Sequence, residues 1–350
     1  MPSAKSLNLP PIKENGQQSF LNYINNFRGF VILLVVSIHI LLEWPTGSKT
    51  KLVFDIIFQD CTIMFVFMSG YLFQYLGHKF EYKSYLKKKL QNVIIPYFII
   101  SIPILVYRLY FKDVPGIVTT LYPNFENWSL GQQLIYYITR GAHMPQLWFI
   151  PVIAIYYLLA PVFITIDRNP KLYWVLLLLM AVSMYVQRGE NLSDTPRTAT
   201  YFASAYVFGM FMSRYKNQYL AFAKKTWVFI TALTLAAFAA CYYFEIIAGP
   251  WMYLQKMLCC GFFIYWFWKL DAHVPKIFAT LASLSFGIYF LHYYYVLIVR
   301  KVGEKIVGGL IPGNILNWVI SFSLVMILTT VTIIIIKKIT GKNSRILIGC

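Results

Sequence analysis

The sequence predicts an all-α, polytopic membrane helical bundle with about ten transmembrane helices. Three observations lead there. Hydrophobic residues make up 59% of the 350 residues and charged residues only 13%, against about 25% charged in an ordinary soluble domain. The mean hydropathy is +0.60. Apolar residues gather in long runs separated by short polar, often basic, segments, and a membrane-crossing helix needs roughly 20 apolar residues. This composition excludes a disordered chain, a coiled coil and an ordinary cytosolic enzyme, and it leaves no room for a large second domain.

The elements follow in order. Residues 1–22 are polar, carry Pro10-Pro11 and form an expected N-terminal tail. The polar lead is too long for a secretory signal. Spans are expected near 27–44, 52–76, 92–111, 146–166, 171–187, 198–213, 227–246, 250–269, 276–299 and 314–337. The transmembrane domain is expected over 23–338, with a C-terminal tail over 339–350. The longest non-apolar stretch is 112–145. Within it Leu130, Leu134, Tyr137 and Ile138 recur at helical spacing, which predicts a short interfacial helix.

The formal charge is +18, from 31 Lys+Arg against 13 Asp+Glu. The basic residues sit between apolar runs. Membrane orientation and anionic lipid therefore account for them, and nucleic acid is not an expected partner. Most fall on the side that carries both termini, so a multi-pass protein of the cell membrane with both ends in the cytoplasm is expected. Cys61, Cys241, Cys259, Cys260 and Cys350 show neither a disulfide framework nor zinc spacing. The five histidines are scattered, so no metal site and no permanently bound cofactor is expected.

Candidate chemistry begins in the first span. Arg28 and His39 are eleven positions apart. Eleven steps of 100° return to within about 20° of the same helix face, about 16 Å further along the axis. Arg28 then sits at the cytoplasmic mouth and His39 deep in the bilayer, where an ionisable group normally faces a cavity or the bundle interior. That layout suits a ligand with an anionic head and a reactive end threaded inward, such as acyl-coenzyme A. Imidazole can take a hydroxyl proton near neutral pH or accept an acyl group itself. An interhelical hydrogen bond is the plain alternative for His39, and a topology anchor for Arg28.

Asp60 lies at a similar expected depth and is a candidate to orient the imidazole, as a carboxylate does in hydrolase triads. Lys87, Lys88 and Lys89 precede a span. They read as lipid and topology contacts or as point charges for donor phosphates. Trp148 opens the fourth span, a position where interfacial Trp is also expected on structural grounds. Ser285, Tyr289 and His292 share one helical face in the ninth span. They should look into the protein, as interhelical hydrogen bonders or as a cavity wall. Glu43, Asp55, His143, Glu245 and Lys256 are candidates for the acceptor side.

Together these segments resemble the acyltransferase-3 family of integral membrane O-acyltransferases, over about 21–337. Arg28-Gly29 with His39 matches the family's opening Arg-Gly and following His. Residues 65–72 are similar to its Phe-Phe-x-x-Ser-Gly-(Phe/Tyr)-Leu stretch. Lys87–Tyr97 is similar to its basic cluster running into Pro-Tyr, Leu147–Phe149 to its Leu-Trp-Phe, and Ser285–His292 to its Ser-(Phe/Tyr)-x-x-Tyr-x-x-His. The chain departs from the pattern in having lysines where arginines are common, and Tyr293 where Pro often follows the last His.

The resemblance implies transfer of an acyl group, usually acetyl, from cytoplasmic acyl-coenzyme A (acetyl-coenzyme A) as co-substrate. The acceptor would be a hydroxyl of a surface glycan or glycolipid, with separate glycan-biosynthesis proteins as partners. On that reading His39 is the base or transient acyl carrier and Arg28 lies at the donor entrance. The lysine cluster meets phosphates, and Tyr289 and His292 line the cavity with Trp148 and Ser285. Two other classes remain open at this point. One is a carrier or flippase for a polysaccharide or polar lipid, which would not consume acyl-coenzyme A. The other is a structural partner in a polysaccharide synthase.

Overall fold

The computed structural model describes residues 16–189 and 194–350, with side chains from Asn22 onward. The described residues form helices joined by short connections, and no strand occurs among them. The helices are α1 (Gly16–Ile38), α2 (Lys49–Phe58), α3 (Thr62–Tyr75), α4 (Tyr82–Lys89), α5 (Ile95–Phe111), α6 (Gly116–Leu121), α7 (Leu130–Arg140), α8 (Phe149–Leu158), α9 (Ala160–Arg168), α10 (Val175–Val186), α11 (Thr195–Arg214), α12 (Lys216–Tyr243), α13 (Gly249–Lys269), α14 (Lys276–Val307), α15 (Ile315–Thr340) and α16 (Ser344–Ile348). Every expected apolar run contains a helix, but the first stops at Ile38 and several others are not single rods. The second breaks at Asp60, whose φ of 53° lies in the left-handed region. The third begins with a π-turn over Leu90–Ile94. The fourth bends by 57° between α8 and α9, where Pro161 cannot donate to the ladder.

Five helical stretches are long and apolar enough to cross a membrane: Lys49–Tyr75, Tyr82–Phe111, Lys216–Tyr243, Lys276–Val307 and Ile315–Ile348. The bent α8–α9 pair makes a sixth. The expected count of about ten is thus not reached on length and hydropathy alone, and the reason is burial. The remaining apolar helices, Asn22–Ile38 and Pro170–Val186, are shorter. Most of α11 is buried, including Thr198 and Ser204, and a helix surrounded by protein has no need of an apolar surface. By contrast α12 and α15 leave most of their aliphatic side chains exposed, the pattern of a lipid-facing helix.

Two close helix contacts fix the interior. Gly70 of α3 and Gly209 of α11 meet reciprocally. A Cβ at Gly70 would collide with the Tyr206 carbonyl, and one at Gly209 with the Phe67 carbonyl. Gly29 of α1 lies in the same way against the carbonyl of Phe278 on α14, so small residues let the backbones approach. α1 is buried along Tyr23, Phe27, Val31 and Val35, with Phe27 and Phe30 packed on Phe263 of α13.

The 112–145 segment folds over the bundle as a small apolar cluster of Val118, Phe125, Tyr136 and Tyr137. Its expected helix is present as α7, started by a Ser129/Gln132 capping box; α6 was not anticipated. At the end of the bundle where α1 stops, residues 39–48 run non-helically. The Glu43 N–H donates to the Ile311 carbonyl at 2.9 Å and ties this segment to the α14–α15 loop. α1 already begins at Gly16, and Ser344 and Ile348 of α16 are buried, packed against α5 and the π-turn.

Candidate active site

α1 and α14 run side by side in the same direction, and the Gly29–Phe278 contact sets their spacing. Arg28 Nη2 donates to the Ala282 carbonyl at 2.8 Å, and Ser285 Oγ donates to the same oxygen at 2.8 Å. Arg28 Nε is buried and has no partner. Three turns further on, the two helices bring His39 and His292 together. His292 Nε2 lies 3.4 Å from His39 Nδ1, and the ring centroids are 5.1 Å apart. The expectation that the Ser285–Tyr289–His292 face looks inward therefore holds, and His39 faces that same wall.

The backbone fixes both tautomers. His39 Nδ1–H donates to the Val35 carbonyl at 2.6 Å. His292 Nδ1–H donates to the carbonyls of Ile288 and Tyr289, each at 2.9 Å. The His292 Nε2 lone pair is therefore turned toward the His39 Nδ1–H. The remaining nitrogen, His39 Nε2, carries a lone pair and makes no hydrogen bond among the described residues. His39 is half-buried, just past the last turn of α1, with Tyr293 edge-on at 5.8 Å. This imidazole is held by one nitrogen and open at the other.

Asp60 does not hydrogen-bond to His39; the Val35 carbonyl orients that ring instead. The Asp60 carboxylate is buried and accepts from Arg188 and from the Tyr201 hydroxyl at 3.0 Å. The Arg188 guanidinium lies over the Trp148 ring, 5.0 Å from its centroid, and Trp148 stacks on Phe202. Asp60, Arg188, Tyr201 and Trp148 are thus one neighbourhood, with Asp60 and Arg188 at its centre. Neither Arg188 nor Tyr201 was singled out from the sequence. Arg188 looks there like one more loop cation at the end of an apolar run, and only the fold returns it to the interior. Lys256, fully buried, donates to the carbonyls of Ile56 at 2.6 Å and Ile57 at 3.1 Å. It satisfies the last turn of α2 just before the Asp60 break.

The other expected residues divide. Tyr289 donates to the Gln146 carbonyl at 2.6 Å, which ties the segment leading into Trp148 to α14, and Ser285 is spent on a backbone carbonyl. Lys87 and Lys88 are exposed. Lys89 is instead tucked over the rings of Tyr85 and Tyr157, at 5.3 and 4.9 Å, a cation–π contact. His143 is fully buried and bonded at both nitrogens, to the Tyr137 carbonyl at 3.0 Å and Ser101 Oγ at 2.7 Å. Asp55 and Glu245 pair with Lys51 and Lys49 around a cavity of about 340 Å³ that also includes Trp44. Among the described residues no three His, Cys, Asp or Glu side chains gather to hold a metal ion.

The model of the acyltransferase domain of the acyltransferase-3 family matches residues 21–338. The chain belongs to this family. No curated protein and no solved structure matches it significantly. The match of this acyltransferase begins just ahead of Arg28 and runs to the end of α15, so it takes in every helix that contributes to the histidine site.

Proposed function

We propose that this acyltransferase moves an acyl group, most simply acetyl, from cytoplasmic acyl-coenzyme A to a hydroxyl of a glycan or glycolipid at the opposite membrane surface. The observation that carries the reading is the His39–His292 pair, three helical turns beyond Arg28. His39 Nε2 takes the proton of the acceptor hydroxyl, or attacks the thioester carbonyl to form an acyl-imidazole that the hydroxyl then attacks. Either way the thiol of coenzyme A leaves with a proton. As positive charge grows on His39, its Nδ1–H is shared between the Val35 carbonyl and His292 Nε2, and charge-assisted hydrogen bonds are the stronger ones.

Arg28, with its spare Nε, receives the donor at the far end of the same helix face, and Lys87, Lys88 and Lys89 attract its phosphates. Asp60 acts through Arg188, holding the guanidinium on Trp148. Trp148, Ser285, Tyr289 and His292 form the wall against which the substrates meet. The ten helical segments cross the cell membrane with both termini cytoplasmic; the interior ones are shielded by protein. Purified protein supplied with labelled acetyl-coenzyme A, together with mass spectrometry of glycans from deleted and complemented cells, tests the reading. Label on a glycan hydroxyl supports it. Substrate movement without thioester consumption would identify a carrier instead.

A further inference from the structure

α14 carries four closely spaced tyrosines, Tyr289, Tyr293, Tyr294 and Tyr295. A buried phenol normally finds a partner for its hydroxyl. Three of these do. Tyr289 donates to the Gln146 carbonyl and Tyr294 to the Ile100 carbonyl, each at 2.6 Å, and Tyr295 shares a hydrogen bond with Thr332 Oγ1. Each bond ties α14 to another segment.

Tyr293 differs. Its side chain is 8% exposed, yet its hydroxyl makes no hydrogen bond among the described residues. The unpartnered hydroxyls of Ser213 and Thr329 are fully enclosed, whereas the Tyr293 oxygen keeps open surface.

Its place is the wall that holds the histidine pair. Ser285, Tyr289, His292, Tyr293 and Val296 follow at helical spacing and are all buried. The Tyr293 ring stands edge-on to His39, with centroids 5.8 Å apart, and edge-on to His292 at 6.5 Å. Two groups of opposite capacity therefore adjoin. His39 Nε2 offers a lone pair and no proton, because the ring proton is on Nδ1 and is held by the Val35 carbonyl and His292. The phenol offers an O–H donor. Acyl transfer needs both, one group to take a proton and another to meet the charge that grows on the carbonyl oxygen. Arg28 lies three turns away, and Ser285 and Tyr289 already donate to backbone carbonyls.

We propose that Tyr293 is a catalytic residue whose O–H donates to the acyl carbonyl oxygen as that oxygen becomes negative; this rests on the proposed function. The acceptor hydroxyl gives its proton to His39 Nε2, and its oxygen bonds to the thioester carbonyl carbon. The electron pair of the C=O bond moves onto oxygen, where the Tyr293 O–H meets it. When the carbonyl re-forms, the C–S bond breaks and sulfur takes the proton from His39 Nε2. Tyr293 keeps its own proton throughout.

The test compares purified full-length wild type, Tyr293→Phe and Tyr294→Phe in detergent. Labelled acetyl-coenzyme A is the donor and the glycan and glycolipid extract of deleted cells the acceptor. Tyr293→Phe should lower kcat roughly 10²-fold, the usual effect of losing one oxyanion donor. KM for acetyl-coenzyme A should stay unchanged, because the bond forms only in the transition state. Thermal unfolding should also stay unchanged, because no internal bond is lost. Tyr294→Phe should do the reverse, lowering the unfolding temperature and leaving kcat intact. A wild-type kcat for Tyr293→Phe overturns the inference. So does a rise in KM at constant kcat, which would make the hydroxyl a ground-state contact. A Tyr293→Phe chain that unfolds early or fails to fold assigns the hydroxyl to stability and overturns it equally. Wild type without any transfer sinks the proposed function and this inference together; transfer by wild type that survives Tyr293→Phe sinks this inference alone.

Discussion

Two imidazoles in this molecule differ in one respect that decides what each can do. His143 is fully buried between α5 and the 112–145 segment, and both its nitrogens are bonded. His39 is half-buried at the end of α1 and bonded only through Nδ1. A side chain whose hydrogen-bonding capacity is filled stabilises the fold; one held in place with a lone pair to spare can accept a proton or an acyl group. Depth alone does not separate the two roles. Unused valence does.

The largest expected effect breaks the open imidazole. His39→Ala should lower acyl transfer by roughly 10²–10⁴-fold, the usual contribution of a positioned acid–base group, with little change in membrane level or thermal unfolding. Activity near wild type would remove His39 from the chemistry. His292→Phe keeps the helix contact but deletes the acceptor facing His39 Nδ1–H. Losing one hydrogen bond to a charged group, about 1.5–3 kcal/mol, should slow turnover roughly tenfold to a hundredfold and leave coenzyme A affinity unchanged. A fall in affinity with unchanged turnover would argue for a wall role only.

The closed imidazole should behave in the opposite way. His143→Ala leaves Ser101 and the Tyr137 carbonyl without their partner and should cost about 1–3 kcal/mol of stability, while activity per folded molecule holds. Burial pushes the His143 imidazole down to about 4 from 6.5. The unfolded chain therefore takes up a proton first. The contribution of His143 is complete above pH 6.5 and is lost as the pH falls toward about 4. Unfolding curves of wild type and His143→Gln should differ in slope across that window and run parallel above it; identical slopes would show that the ring is not the titrating group. The smallest effect is expected at the bundle surface. Lys87, Lys88 and Lys89 changed together to Gln should weaken donor affinity a few-fold and flatten its salt dependence. Because Lys89 already sits on Tyr85 and Tyr157, Lys87→Gln/Lys88→Gln should account for most of it.

Much of the architecture could be read from the chain. Apolar runs become helices because a backbone in hydrocarbon must bond to itself, and each run did. What hydropathy misjudged were the interior helices and the breaks. α11 is surrounded by protein and carries Thr198 and Ser204 inside, so its polar residues say nothing about crossing. The break at Asp60 depends on a left-handed residue and on Lys256 closing the end of α2; no periodicity marks either. At the site, the Arg28–His39 register and the inward face of Ser285, Tyr289 and His292 were legible because helical spacing is a local property. Asp60 was given the wrong partner, since Arg188 and Tyr201, which bond to it, lie more than a hundred residues away in sequence.

The amino-acid sequence alone determined a helical, lipid-adapted chain, its family and the imidazole its first helix presents, because composition and a 3.6-residue period need no knowledge of neighbours. Only the tertiary structure decided which histidine is saturated and which is open, and that a backbone carbonyl rather than a carboxylate aims the His39 ring. These are pairings between segments far apart in the chain, and the choice among many possible partners is made by packing.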